Sequence, residues 1–369
     1  MKNNKPTILI FSLAYHPFVG GAEVAIKEIT DRLGNSFDFD MVTVNLDGQQ
    51  KKEERVGNIN VHRIGKRKIC KYVFPLAGYL YAKKLHGKNN YDIAWAMMAN
   101  QSGWAAMKFK KKFPRTQYLL TLQEGDSELD IWLRTFFIRP IYKNIYKRAD
   151  HVQAISNFLK KRAENFGIKN KIDVVPNGIK KELPVTSEDK IAKQIITTSR
   201  LVKKNGIKYL IEAMQGVDGN LIILGGGKLK PKLEKLRDKL NLTNKVIFKG
   251  EVSNDDVYKY VSQSAVFVRP SLSEGLGNAF LEAMAMKVPV VATPVGGIPD
   301  FLREEETGWF CEVKNSKSIA EKINYVLDPK NQEEVEKVVE NANKMVVEGY
   351  NWSKISIDMK NIFNKLSNE

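Results

Sequence analysis

Cysteine and histidine are scarce in this chain. Its two cysteines, Cys70 and Cys311, are too few and too far apart for a disulfide framework or a four-ligand zinc site. The four histidines, His16, His62, His86 and His151, are scattered with no H-x-x-x-H or Cys-paired spacing, so no metal site and no metal cofactor is expected. Long apolar runs are missing too: none approaches the roughly 20 residues that a membrane-spanning helix needs. Residues 1–15 imitate a signal peptide, with Lys2 and Lys5 ahead of an apolar run. The run is short and a Gly-Gly turn follows without a small-residue cleavage site, so it reads as a first buried strand. With 13 prolines and 25 glycines in 369 residues, collagen-like sequence is excluded, and no solenoid repeat appears.

What is present is an ordinary globular composition, 43% hydrophobic and 27% charged, with a one-sided charge. The formal net charge is +17, and it is concentrated: residues 1–180 hold 31 basic and 16 acidic side chains, residues 181–369 hold 28 and 26. Residues 51–112 alone carry 15 basic and three acidic side chains. Such a patch attracts a polyanion, whether anionic lipid, phosphorylated substrate or nucleic acid. Beside it, the stretch 72–81 (YVFPLAGYLY) is rich in aromatic and aliphatic residues, which favours an anionic membrane surface. The repeated aromatic platform or helix-turn-helix of a nucleic-acid binder is missing, so no specific nucleic acid is expected.

Short β-branched runs alternate with amphipathic stretches from end to end, the pattern of parallel α/β sheets. Strands are expected at 7–13, 39–44, 59–64, 92–97, 117–122, 151–155 and 172–175, then at 194–199, 221–224, 245–248, 265–269, 288–292 and 309–313. Two doubly wound, Rossmann-like domains result, 1–180 and 181–350, with a polar linker at 180–190 after the turn Pro176-Asn177-Gly178 and a last helical segment at 351–369. Asp38-Phe39-Asp40 imitates a D-x-D metal motif but fits the alternation of an early strand.

Ligands of open parallel sheets bind outside the carboxyl ends of the strands. After the first strand come His16 and the pair Gly20-Gly21, where the backbone can approach a ligand at the start of a helix. Far down the chain, Arg269 is followed by Pro270-Ser271-Leu272-Ser273-Glu274-Gly275-Leu276-Gly277 and by Asn278, a good N-cap, at the start of a helix. This loop is an anion cradle, with Glu274 in it and Glu282 about one turn inside the helix. A carboxylate beside a diphosphate repels it unless sugar hydroxyls donate to that carboxylate. The spacing therefore suits a nucleotide-sugar, with one glutamate on the hexose and the other on the ribose. Gly225-Gly226-Gly227 completes no dinucleotide fingerprint, and no Walker A loop exists.

The run 270–285 followed by PVVATPVGGIPDFL resembles the retaining, GT-B-fold glycosyltransferases of family 4, whose hallmark is two glutamates separated by seven residues. Gly20-Gly21, Ser156-Asn157, Val175-Pro176-Asn177-Gly178, Ser199-Arg200-Leu201 and Asn205-Gly206 extend the resemblance over nearly the whole chain. It implies two domains facing across a cleft, the first binding acceptor and the second a nucleotide-sugar donor. It further implies that Glu274 touches the donor sugar, Glu282 the ribose and Arg200 the diphosphate, with Gly20, Gly21, Gly275, Leu276, Gly277 and Asn278 around the donor. The family usually has a Lys before the glycine where this chain has Asn205, so Lys204 is assigned that cationic role. A His common in the family after the strand at 117–122 is replaced by Gln123, which cannot shuttle a proton; Glu124, Asp126 and His16 become the acceptor-side candidates. The expected function is retaining, metal-independent transfer to a glycan or lipid-linked acceptor, with the protein cytoplasmic and peripheral on the inner face of the plasma membrane. A GT-B epimerase or sucrose-type synthase, an inactive sugar-nucleotide binder and a nucleic-acid-binding protein are the alternatives.

Overall fold

The computed structural model describes residues 5–168, 171–180 and 190–368. The chain divides into two compact units, one of Met1–Glu124, Glu128–Gly178 and Trp352–Glu369, the other of Gly125–Ser127 and Ile179–Asn351. Residues 181–189, most of the expected linker, lie outside the described residues.

The first unit opens with β1 (Thr7–Phe11), α1 (Gly21–Leu33), β2 (Asp38–Val44), β3 (Glu53–Val56), β4 (Ile59–Ile64) and α2 (Cys70–Asn89). There follow β5 (Ile93–Met97), α3 (Gln101–Lys112), β6 (Gln117–Leu122), α4 (Glu128–Thr135), α5 (Arg139–Lys147), β7 (His151–Ala154), α6 (Asn157–Asn165) and β8 (Ile172–Val174). Its sheet has the order β3-β4-β2-β1-β5-β6-β7-β8. The central strands are nearly continuous apolar sequence because both faces are covered by helices. The second unit runs β9 (Ile191–Thr198), α7 (Ile207–Ala213), β10 (Asn220–Leu224), α8 (Lys230–Lys239), β11 (Val246–Gly250), α9 (Asn254–Ser262) and β12 (Ser264–Arg269). It ends with α10 (Asn278–Ala285), β13 (Val290–Ala292), β14 (Trp309–Phe310), α11 (Ser316–Leu327) and α12 (Gln332–Gly349). Its sheet is β11-β10-β9-β12-β13-β14, parallel at every pairing.

The last helix, α13 (Trp352–Ser367), belongs to the first unit and packs along α1. Its Trp352, Ile355, Met359 and Phe363 share one core with Ile8, Ile26, Phe39 and Trp95. Phe363 meets Trp95 at 5.2 Å and Phe37 at 5.3 Å in edge-on contacts, which add to plain area burial. Each large buried side chain of this kind stabilises by about 1.5–3 kcal/mol.

Three sequence expectations need correction. The first sheet is not wholly parallel: β3 pairs antiparallel with β4 at the sheet edge. Its residues, Glu-Glu-Arg-Val, carry no apolar alternation, and a tight turn at Gly57 (φ +57°) sets it against β4. The basic stretch 51–112 is not one exposed surface: Arg63 is buried and bridges to Glu54 at 2.7 Å, and Lys110 pairs with Asp150. Asn278 is not the N-cap of α10; Gly277 holds that place at φ +98°, and no side chain caps the helix. Asp40, as the strand alternation implied, sits inside β2, where Asn60, Asn89 and Tyr91 all donate to its carboxylate.

Candidate functional site

In the second unit the strand order reverses beside β9: β10 and β11 lie on one side, β12 to β14 on the other. The carboxyl ends of β9 and β12 therefore flank a topological switch point, the favoured ligand position of an open parallel sheet. The loops that leave these two strands carry Arg200 and Lys204 after β9, and residues 270–277 after β12.

The β9 loop is held by backbone contacts. Leu201 N–H donates to the Gly226 carbonyl at 2.7 Å, and Asn205 Nδ2 donates to the Arg200 carbonyl at 2.6 Å. Asn205 is buried, so the residue that departs from the family pattern fastens the Arg200 loop from inside, leaving Arg200 itself exposed. The triple glycine after β10 makes this close approach possible: a Cβ on Gly225, at φ +123°, would stand 2.1 Å from the Ser199 carbonyl oxygen. Lys204 lies on a 3₁₀ turn, Lys203–Asn205, and its carbonyl accepts from Leu272 N–H of the β12 loop at 2.6 Å. Its ammonium is 3.3 Å from Asp126, in the short stretch Gly125–Ser127 that groups with this unit.

Arg269 organises the β12 loop. It ends the strand, buried, with Nη1 donating to the Thr198 carbonyl at 3.1 Å, Nη2 to Glu274 Oε2 at 2.7 Å, and the guanidinium 4.3 Å from the Phe280 ring centroid. The other Glu274 oxygen accepts from Gly275 N–H at 3.0 Å. Glu274's main chain is clamped as well, its carbonyl accepting from Gly297 N–H at 3.2 Å. Glu282, partly buried on α10, has its carboxyl raised to about 7 by burial, against the pull of Arg269 and Lys180. The uncapped first turn of α10 offers its N–H groups and positive dipole end toward the same loop.

Several buried polar atoms at these strand ends have no partner: Thr197 Oγ1, Ser199 Oγ, Ser271 Oγ and Arg269 Nε. Buried polar groups are nearly always satisfied, so such a cluster is a place for ordered water or a ligand to supply the bonds. The sequence named Ser271 and Arg269 only as part of the loop and did not assign Thr197 or Ser199. The signal that could have found them is a run of hydroxyls and one arginine at the ends of otherwise apolar strands.

The first unit has its own switch point, between β1 and β5. His16 and Gly20 lie in the loop after β1 and Gly21 opens α1, whose N-cap, Gly20, makes no side-chain cap. His16 Nε2 and the Tyr15 hydroxyl are buried without partners; burial first, then Lys27, holds the His16 imidazole below its ordinary pKa. Gln123, after β6, forms a reciprocal amide pair with Asn177 at 3.2 and 3.3 Å, and Asn177 Nδ2 lies 3.9 Å from where a Cβ on Gly21 would be. Asn177 thus ties its own turn to the loop after β6, beside the start of α1, a role its turn motif did not announce.

Glu124 is a correction. It is buried, its carboxylate accepts from Ala99 N–H and from Gln123 N–H, and burial pushes its carboxyl above the usual range. Those oxygens are occupied in supporting the β5 and β6 loops rather than offered to an acceptor. Among the described residues, no group of three or more His, Cys, Asp or Glu could hold a metal ion.

A family model described as Glycosyl transferases group 1 matches residues 178–345, and one described as Glycosyltransferase Family 4 matches residues 19–183. An uncharacterized glycosyltransferase of Methanocaldococcus jannaschii is 26% identical over 354 residues, 96% of this chain and 97% of its own. Among solved structures, sucrose-phosphate synthase from Thermosynechococcus elongatus superimposes with a TM-score of 0.83 at 21% identity, covering 98% of this chain and 99% of that one. Anabaena HepE, solved with UDP-glucose, gives 0.81 at 17% identity over 97% and 99%. At such identities the structures speak for the fold, which is the GT-B pairing of two parallel-sheet α/β domains.

Proposed function

Because the chain belongs to the group 1, family 4 glycosyltransferases, we propose that it transfers a sugar from a nucleotide-sugar to an acceptor hydroxyl, with retention at the anomeric carbon and without a metal ion. The observation that carries this reading is the arrangement at the β9/β12 switch point: Glu274 anchored on Arg269, Arg200 and Lys204 on the neighbouring loop, and unpartnered hydroxyls between. In this reading the diphosphate lies against Arg200, Lys204 and the open end of α10, Glu274 accepts from hexose hydroxyls, and Glu282 from the ribose. Gly20 and Gly21 leave the backbone at the start of α1 open to close approach by a ligand, and His16 and Asp126 serve the acceptor side.

As the bond from the anomeric carbon to the leaving phosphate oxygen breaks, the diphosphate gains negative charge. Fixed cations and backbone N–H groups stabilise that charge more in the transition state than in the ground state, which is what accelerates the step. The acceptor oxygen forms its new bond on the face the phosphate leaves, and the phosphate oxygen takes the acceptor proton. No protein base is then required, which fits Gln123 standing where many relatives carry a His.

HepE was solved with UDP-glucose, so uridine-diphosphate sugars are the first donors to test. A lipid-linked or glycan acceptor at an anionic membrane, the inner face of the plasma membrane, is supported by α2 and the turn before it. Ile69, Tyr72, Val73, Leu76 and Leu80 are all exposed at helical spacing, next to exposed Lys66, Arg67, Lys68, Lys83 and Lys84. No helix among the described residues is long and apolar enough to cross a membrane.

The test is a panel of nucleotide-sugars screened by thermal stabilisation, followed by transfer from the best donor and NMR assignment of the product's anomeric configuration. An α-configured product from an α-configured donor is expected. A β product overturns retention, and the absence of any stabilising nucleotide-sugar overturns the donor site.

A further inference from the structure

The segment from Leu129 to Ile138 exposes six large apolar side chains within ten residues: Leu129, Trp132, Leu133, Phe136, Phe137 and Ile138. Phe137 is 94% exposed. The helix α4 buries Ile131 and Thr135 toward its own unit, so Leu129, Trp132, Leu133 and Phe136, at spacings of three and four, form a second apolar stripe that faces outward. The stripe is contiguous: Trp132 and Phe136 meet edge-on at 5.1 Å, Phe136 and Phe137 at 5.3 Å. Single exposed apolar residues are ordinary, but a contiguous ridge of aromatic and aliphatic groups marks a contact surface.

Charge selects the partner. The helix α5, which packs beside α4, buries Tyr142, Ile145 and Tyr146 and carries Arg139, Lys143 and Lys147 on its exposed side, each four residues from the next. Of the nearby acids, Glu128 is paired with Arg162 at 2.6 Å, and Asp130 also has an interaction partner. An aromatic ridge bordered by a row of cations matches the boundary of an anionic bilayer, where aromatic rings sit at head-group depth and lysine or arginine meets phosphate. A second copy of the chain would bring the two cationic rows together, which opposes self-association through this face.

We propose that the ridge 129–138 is a membrane-inserting element that enters the boundary between head groups and acyl chains of an anionic bilayer, with Arg139, Lys143 and Lys147 on the lipid phosphates. It deepens the membrane reading above and rests on it, through different residues. Packing links the two surfaces: α4 lies on α5, α5 on α3 and α3 on α2, so the ridge and the α2 face belong to one helical layer of the first unit. One weak membrane signal gives marginal attachment, and two give stable docking.

The full chain is tested with vesicles of phosphatidylcholine containing about one third phosphatidylglycerol, and with pure phosphatidylcholine. Brominated acyl chains should quench the tryptophan fluorescence of the wild type on the anionic vesicles, and Trp132→Phe, which keeps the ridge apolar, should bind equally while losing most of that quenching. Phe136→Ser with Phe137→Ser should lower sedimentation with anionic vesicles by more than about tenfold, with circular dichroism and transfer to a soluble acceptor unchanged. Equal quenching in the wild type and Trp132→Phe, or undiminished sedimentation of the double variant, overturns the proposal. So does a wild-type dimer in sedimentation velocity that the double variant dissolves. If the ridge variants bind like wild type while replacing Lys83 and Lys84 with glutamine releases the protein, the ridge falls and the membrane reading stands. If the wild type ignores the vesicles at low salt, both fall.

Discussion

Arg269 and Glu274, five residues apart, are joined across the end of β12 by a 2.7 Å ion pair whose guanidinium also lies over the Phe280 ring. Arg269 is buried, so its charge depends on Glu274 and Glu282. Removing one partner of a buried pair leaves the other uncompensated, a loss of about 3–5 kcal/mol. Arg269→Met should therefore destabilise the protein by about that amount in urea titrations. Glu274→Gln keeps one acceptor oxygen, for Arg269, and gives up the one that takes Gly275 N–H; it should fold, yet lose more than about tenfold in turnover, roughly 1.4 kcal/mol of barrier. Arg269→Met with wild-type stability would show that the pair does not hold the loop.

Glu282 gives the site a pH signature. Its carboxyl stands near 7 because burial disfavours the charged form, with Arg269 and Lys180 opposing. An unfolded glutamate titrates near 4.3, so between these values the folded chain holds more protons than the unfolded one. Stability from this group is complete below the lower value and is lost as pH rises through the upper. Glu282→Gln has no such loss, and its melting temperature should gain on the wild type between about pH 5 and 8. Ribose hydroxyls donate more strongly to a carboxylate than to the neutral acid, so donor affinity should rise over the same window in the wild type alone. A constant difference in melting temperature would refute the buried-acid account.

Gly296 explains why the segment after β13 belongs to the site. At φ +60°, a Cβ there would stand 1.8 Å from the Glu274 carbonyl oxygen, so alanine both strains its own backbone and pushes Glu274 away. Gly296→Ala should cost about 1–3 kcal/mol in stability and lower turnover with it. Gly87, inside α2 with nothing within 4 Å, is the control: Gly87→Ala should stabilise by about 0.5–1 kcal/mol with turnover intact. Equal behaviour of the two variants in thermal melts would remove the steric argument.

The two-unit α/β organisation was legible because continuous apolar runs bounded by turns recur along the chain; Gln117–Leu122 and Ile59–Ile64 fall where the sequence placed them. The edge strand β3 was not, since three charged residues and one valine acquire strand geometry only from β4 beside them. At the site, Glu274 and Glu282 could be named from local spacing. The Arg269 anchor could not, because its partners come from the end of β9, the β12 loop and α10. Local sequence offers Glu124 as an acceptor-side candidate for the same reason: Ala99 N–H, which occupies its carboxylate, arrives from the loop after another strand.

Arg200 and Lys204 are separable by experiment from residues that merely hold the loop. Both are assigned to a leaving diphosphate whose charge grows in the transition state, so their removal should lower kcat more than it raises the donor KM. A loss of about ten- to a thousandfold in kcat is expected for Arg200→Ala, the range seen when one fixed donor is taken from a developing anion. Lys204→Ala should lose less, because its ammonium also serves Asp126. Asn205→Ala is the structural comparison: it frees the Arg200 carbonyl, and should lower stability and turnover together, and Asn205→Lys should fail to rescue stability because the position is buried. A donor with a more acidic leaving group should suffer less from Arg200→Ala, since less charge then needs protein stabilisation. If the cations carry that charge alone, turnover survives EDTA in the wild type. Full dependence on added Mg²⁺ or Mn²⁺, or an Arg200→Ala variant that changes only KM, would remove Arg200 from the chemical step.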